Sequence, residues 1–132
     1  RRVNYHHPES DGNLGELLAL NIPGGEVKWR YRTRAPFNTA ALTTAGGLVF
    51  IGDWNRTMSA LDAENGEVLW QVRLTTSNQG FPISYSVDGK QYIAMPVGTG
   101  GASWSGSLPR ELAPELSRPR NGSSINVFAL PE

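Results

Sequence analysis

"MSALDAENGEVLW" (residues 58–70) decides how the rest of the chain is read. A small residue, an acid, a glycine-centred corner and a tryptophan follow one another at short, fixed intervals. The stretch "LLALNIPGGEVKW" (residues 17–29) lies 41 positions earlier and matches it in register. Six positions are identical: Ala19 and Ala60, Leu20 and Leu61, Gly25 and Gly66, Glu26 and Glu67, Val27 and Val68, Trp29 and Trp70. Each copy reads as strand, turn and second strand. Asn65-Gly66 marks the clearest corner, because this dipeptide favours the positive backbone angles of a tight hairpin turn.

Working outward, residues 14–21 and 26–34 form the first strand pair, with Val27, Trp29 and Tyr31 alternating against polar residues at the period of a half-buried strand. "APFNTAALTTAGGLVFIGD" (35–53) reads as two strands around Gly46-Gly47. Leu48, Val49, Phe50 and Ile51 are apolar at every position, which predicts a strand covered on both faces. Residues 57–63 and 67–74 form the second copy of the pair. "FPISYSVDGKQYIAMPVG" (81–98) is another strand–turn–strand, built on Asp88-Gly89. Residues 99–122 are rich in Gly, Ser and Pro and lack strand periodicity; "LPRELAPEL" (108–116) has room for one helical turn between its prolines. "SSINVFALPE" (123–132) closes the chain as a strand.

The fold class is therefore all-β, with about four strands every ~40 residues, the spacing of propeller blades. A half blade (14–34), a full blade (35–74) and a last blade (75–132) carrying the insertion 99–122 make up about two and a half blades. A blade cannot bury its faces alone, so the chain is expected to work with a larger chain that carries the remaining blades.

Composition narrows the function. The 12 basic and 12 acidic residues balance, so no net field favours nucleic acid or an anionic membrane. Lys28, Arg30, Arg32 and Arg34 alternate along one strand and read as a solvated face. The absence of cysteine excludes disulfides, thiolate metal sites and cysteine nucleophiles within this chain. No apolar run approaches the ~20 residues of a transmembrane helix. The opening "RRVNYHHPES" has no hydrophobic stretch behind its arginines and does not read as an intact secretory signal. His6 and His7 are adjacent, a poor basis for a metal site. Ser103, Ser105 and Ser107 lack the G-x-S-x-G elbow of a serine hydrolase.

Ala60, Asp62, Gly66 and Trp70 spell Ala-x-Asp-x3-Gly-x3-Trp. This pattern resembles the tryptophan-docking repeat of quinoprotein dehydrogenases, eight-bladed propellers that bind pyrroloquinoline quinone (PQQ). The first copy departs from it, with Asn21 in place of the aspartate. The longer strings "ALTTAGGLVFIGDWNRTMSALDAENGEVLW", "GFPISYSVDGKQYIAMPVGTGG" and "LAPELSRPRNGSSINVFALPE" look like the closing blades of PQQ-dependent alcohol-type dehydrogenases, in that family's order. The resemblance covers residues 14–132. It implies that the repeated hairpin joins blades, with Trp29 and Trp70 laid against the neighbouring blade.

The resemblance also implies a flat cofactor at one end of the blades, near loops 34–40, 52–57, 76–82 and 98–104. Asn38, Thr39, Asp53, Trp54, Asn55, Gln79 and Trp104 are the cofactor-binding candidates: amides to donate to carboxylate and carbonyl oxygens, indoles to stack. Asp53 reads equally as a turn-stabilising carboxylate, and Trp54 as an exposed turn aromatic. The family's catalytic aspartate and its calcium or lanthanide ligands match no motif here, and are implied to lie on the other blades. The implied function is the C-terminal part of a PQQ-dependent dehydrogenase that oxidises an alcohol or sugar-type substrate, passes electrons to an acceptor and works in the periplasm. Two other readings stand beside it: a non-catalytic PQQ-like propeller serving as an assembly scaffold, and a self-contained β-sandwich, against which the 41-residue period counts.

Overall fold

The computed structural model describes residues 3–99, 107–116 and 119–129. The strands among them form three antiparallel sheets. The first holds β1 (Gly15–Leu20) and β2 (Val27–Thr33). The second holds β3 (Leu42–Thr43), β4 (Leu48–Gly52), β5 (Thr57–Asp62) and β6 (Val68–Arg73). The third holds β7 (Ile83–Val87), β8 (Lys90–Val97) and β9 (Ser124–Ala129), with the short helix α1 (Leu108–Leu112) between the last two. Chain order equals spatial order in every sheet. The all-β, propeller-type reading holds.

The sequence repeat is also a hydrogen-bond repeat. Asp62 N donates to Glu67 O at 2.8 Å and Gly66 N to Asp62 O at 2.8 Å; in the first copy Asn21 N donates to Glu26 O at 2.9 Å and Gly25 N to Asn21 O at 2.7 Å. Both pairs shift register at the same step, between Ala19 and Leu20 and between Ala60 and Leu61.

The turn itself differs from expectation. Gly66 has φ +76° but Asn65 is not among the residues of positive φ, and the corner takes four residues, 63–66. The side chains explain the wider bend. Asp62 Oδ1 accepts from Glu64 N at 2.6 Å and Asn65 Oδ1 from Glu67 N at 2.8 Å, stabilising successive bends of the backbone. In the first copy Pro23 stands where Glu64 stands in the second; it has no N–H to donate, so an aspartate at Asn21 would lack that partner. The two-residue turn with both central residues at positive φ lies at Asp88-Gly89 (φ 50° and 79°), where Val87 pairs with Lys90.

Trp29 reaches from the first sheet onto this corner of the second. Its Nε1 donates to Ala63 O at 3.0 Å, and its ring lies so close to Gly66 that a Cβ there would sit 2.8 Å from Cδ2 and Cε3. Leu17, Trp29, Tyr31 and Phe37 pack on Val49, Ile51 and Leu61. The opposite side of the second sheet gives Phe50, Met58, Ala60 and Leu74, which meet Ile93, Met95 and Val97 of the third. Alternate residues of β4 thus enter different cores, and the strand is covered on both faces as its apolar run predicts. Trp70 meets Phe128 edge-to-face, with centroids 5.2 Å apart.

The basic stripe on β2 is paired rather than simply solvated. Lys28 meets Glu64 at 2.7 Å, Arg30 and Arg32 share Glu16 at 3.6 and 2.5 Å, and Arg34 has left the strand to meet Glu115 at 2.5 Å.

Candidate functional site

Because the strands meander, their connections alternate between two ends. The turns at 44–47, 63–66 and 88–89 lie at one end. Segments 34–41, 53–56, 74–82 and the long β8–β9 connection leave from the other, which is where the candidate residues fall.

The loop after β4 is built around Asp53. Asp53 N donates to Thr57 O at 2.9 Å, and Asp53 Oδ1 accepts from Thr57 N at 2.8 Å. Asp53 is only 7% exposed. Burial raises its carboxyl above the ordinary aspartate value, opposed by backbone N–H groups of Thr57 and Asn55. The carboxyl is therefore engaged inside its own loop. Trp54 is 4% exposed, so it is a buried residue and not an exposed turn aromatic. Its backbone N–H donates to Pro36 O at 2.9 Å and its backbone carbonyl accepts from Ser77 Oγ at 2.7 Å. Thr39 Oγ1 both donates to Gly52 O at 3.2 Å and accepts from Gly52 N at 3.1 Å, tying the segment before β3 to the end of β4. Asn38, Asn55 and Gln79 are half-buried at the same end. Trp104 lies outside the described residues.

Three residues that the sequence reading passed over bring these loops together. Thr76, Ser77 and Asn78 are all fully buried. Asn78 Nδ2 donates to Asp53 O at 3.1 Å and Thr57 O at 2.9 Å, and Asn78 N donates to Asp53 O at 3.2 Å. Asn78 Cβ and Cγ pack so tightly over Gly52 that any side chain there would collide. The repeat held the signal. Thr76-Ser77-Asn78 stand 41 positions after Ala35-Pro36-Phe37 and occupy the same backbone role: Trp54 N bonds Pro36 O as Gly98 N bonds Ser77 O, and Phe37 bridges Asp53 as Asn78 bridges Val97. An apolar triplet becomes polar and buried in the next copy, and the added side chains grip the neighbouring loop.

The chemistry of this end suits an anionic, acceptor-rich ring of the kind the resemblance implies. Asp53 is the only acid in segments 34–40, 52–57, 76–82 and 98–104, and its Oδ1 faces its own backbone, while Arg56 and the amides of Asn38, Asn55 and Gln79 supply donors. Arg56 Nε and Asn78 Oδ1 are buried without a hydrogen-bond partner among the described residues, and Arg56 holds φ +74°. Such unmet groups cost ~1–3 kcal/mol each and concentrate where a ligand or water completes the site.

Among the described residues no group of three or more His, Cys, Asp and Glu side chains could hold a metal ion. His7 Nδ1 accepts from Glu9 N at 3.2 Å, capping the 3-10 turn Pro8–Ser10. Among the described residues no helix is long and apolar enough to cross a membrane. An apolar pocket of about 370 Å³ between the second and third sheets is lined by Phe50, Trp70, Ile93 and Phe128, with Thr44, Leu48 and Gln91 placing it towards the turn end, and it includes none of the candidate residues.

Comparison with known proteins identifies the family. The quinoprotein ethanol dehydrogenase of Pseudomonas aeruginosa is 36% identical over 92% of this chain and 19% of its own length. The 1-butanol dehydrogenase (cytochrome c) of Thauera butanivorans is 36% identical over 97% of this chain and 17% of its own. A solved europium-containing methanol dehydrogenase superposes with a TM-score of 0.76 at 28% identity, covering 94% of this chain and 24% of that one. The chain thus spans about a fifth of the relatives it matches. Residues 12–93 match the profile of the glucose/ethanol/alcohol dehydrogenase PQQ β-propeller domain, and the chain belongs to that family.

Proposed function

We propose that this chain forms one wall of the quinone site in a larger PQQ-dependent dehydrogenase acting on an alcohol or sugar-type substrate. The observation that carries the proposal is the gathering of loops 34–40, 52–57 and 76–82 at one end by Thr39, Ser77 and Asn78, with their one acid turned inward. Asn38, Asn55 and Gln79 donate to carboxylate and carbonyl oxygens at the rim, and Trp54 backs them with a buried indole. Thr39 and Asp53 hold the loop that presents Asn55. Trp104 completes the candidate set. Arg56 adds positive charge beside the same loop.

PQQ held at this wall by Asn38, Asn55 and Gln79 would supply the two-electron acceptor for oxidation of the alcohol carbon, and a bound cation would supply Lewis-acid polarisation. The ligands of that calcium or lanthanide ion, like the catalytic base, belong to the rest of the protein; the europium in the methanol dehydrogenase named above supports the lanthanide option. The 1-butanol dehydrogenase carries cytochrome c in its name, and a cytochrome of that class is the electron acceptor we propose, in the periplasm.

The test is quinone titration of the full-length apoprotein, read by the absorbance of bound PQQ. Asn55→Ala and Gln79→Ala, each removing one charge-assisted donor, should weaken binding about tenfold, the equivalent of roughly 1.4 kcal/mol. Unchanged affinity in both, and in Trp54→Ala, would remove this end of the chain from the site.

A further inference from the structure

The connection between β8 and β9 belongs to the third sheet, yet its described parts reach across to both of the others. Arg34, the first residue beyond β2, gathers it at one point. The guanidinium donates from Nη2 to Leu112 O at 2.7 Å and from Nε to Glu115 Oε1 at 2.5 Å, and from Nη1 to Gly12 O in the segment before β1. Asn4 Nδ2 adds a bond to Glu111 Oε2 at 2.6 Å. Pro109 and Ala113 are fully buried beside these contacts, so the segment is seated and not merely tethered. Further along, Thr76 Oγ1 donates to Pro119 O and Thr75 Oγ1 to Gly122 O, both at 2.7 Å.

Both anchor points are next to the loop that carries Trp54. Two residues after Arg34, Pro36 O accepts from Trp54 N; one residue after Thr76, Ser77 Oγ donates to Trp54 O. The backbone on either side of Trp54 is therefore held by two strand ends, and the β8–β9 connection braces each of them. A guanidinium is suited to the first anchor: three of its nitrogens serve three acceptors on two segments at once, which a lysine ammonium on a flexible stem cannot reproduce.

We infer that Arg34 is a positioning residue for the quinone site. By clasping residues 107–116 to the first sheet it fixes the brace that sets the Trp54 loop, without itself touching the cofactor. This inference rests on the function proposed above and deepens it.

The experiment uses the full-length protein and compares Arg34→Ala, Arg34→Lys and Glu115→Gln with Asn55→Ala as the reference for direct contact. Hydrogen exchange reads the clasp, PQQ titration of the apoprotein reads the site, and thermal unfolding reads global stability. Arg34→Ala should raise exchange in peptides covering 107–116 and 34–40 about tenfold and weaken PQQ binding at least threefold. Arg34→Lys should fail to restore either, and Glu115→Gln, which keeps the bonds to Leu112 O and Gly12 O, should show a smaller change in both. If the Arg34 variants prove too unstable to purify, Glu115→Gln alone decides, by moving exchange and quinone affinity together at an unchanged melting temperature. Unaltered exchange in 107–116, or raised exchange with unaltered quinone affinity while Asn55→Ala weakens it, overturns the role of Arg34. Unaltered affinity in Asn55→Ala as well points instead to failure of the quinone-wall reading.

Discussion

Gly66 and Gly89 share a backbone angle, φ +76° and +79°, and differ in what surrounds them. A Cβ at Gly89 meets nothing within 4 Å, whereas one at Gly66 would strike the Trp29 ring at 2.8 Å. Gly89→Ala should therefore cost only the left-handed strain, about 1–2 kcal/mol. Gly66→Ala adds the displacement of a packed indole, a further ~1–3 kcal/mol. Denaturant midpoints of the two full-length variants measure the difference, and equal costs would mean that Trp29 is not pressed on Gly66. A glycine at each corner was legible in the sequence, because turns need positive φ. That one of them also makes room for a tryptophan 37 positions earlier was not, since only packing brings Trp29 there. The same limit applies to Asn78, which looks like one more polar loop residue until Gly52 and Asp53 are seen beneath it.

At the scale of elements, the repeated hairpin is an adhesive whose two bonds can be separated. Trp29 contributes a hydrogen bond to Ala63 O and an apolar ring against Val49, Ile51 and Leu61. Trp29→Phe keeps most of the ring and loses the donor, and should cost about 1 kcal/mol. Trp29→Ala loses both, about 3 kcal/mol or more. Thermal shifts of the full-length variants give the ratio, and a Phe variant as damaged as the Ala variant would place the stability in the hydrogen bond. Strand positions at this scale were readable from periodicity, since β-strands expose a two-residue rhythm. The Asn65-Gly66 corner was misjudged because turn length depends on competing side-chain acceptors, here Asp62 and Asn65, and not on the dipeptide alone.

Across the whole molecule, two exposed carboxylates sense acid, Glu16 across the β1–β2 pair and Glu115 between distant segments. Arg32 beside Glu16, and Arg34 beside Glu115, hold each glutamate below its ordinary value of 4.5. A lowered folded-state value means that their stabilisation is present above about pH 4.5 and is lost as pH falls through the folded value. Hydrogen exchange in 107–116 should therefore rise, relative to the strands, below about pH 4.5, and Glu115→Gln should remove much of that rise. Exchange independent of pH in this segment would show that backbone bonds alone hold it. Asp53 acts in the opposite sense: its raised value favours the fold as it becomes protonated, so the two effects oppose one another in acid. At this scale the chain also leaves apolar faces open, with Leu18, Leu20 and Val27 on the first sheet and Ile83, Val87, Ile125 and Val127 on the third. Faces of that kind mark surfaces built to be covered, which accords with relatives about five times as long.

The sequence by itself determined the strand order, the 41-residue repeat, the doubly buried β4 and the family, because each of these is written in local periodicity or in contiguous strings of residues. Only the tertiary structure decided what Asp53, Trp54, Asn78 and Arg34 do. Their partners lie on other loops and other sheets, and a buried hydrogen bond between segments far apart in the chain leaves no local pattern. Asp53 is absorbed by its own loop, Trp54 is buried, Asn78 grips a neighbouring loop, and Arg34 joins the two outer sheets through a connection whose composition suggested only an irregular insertion.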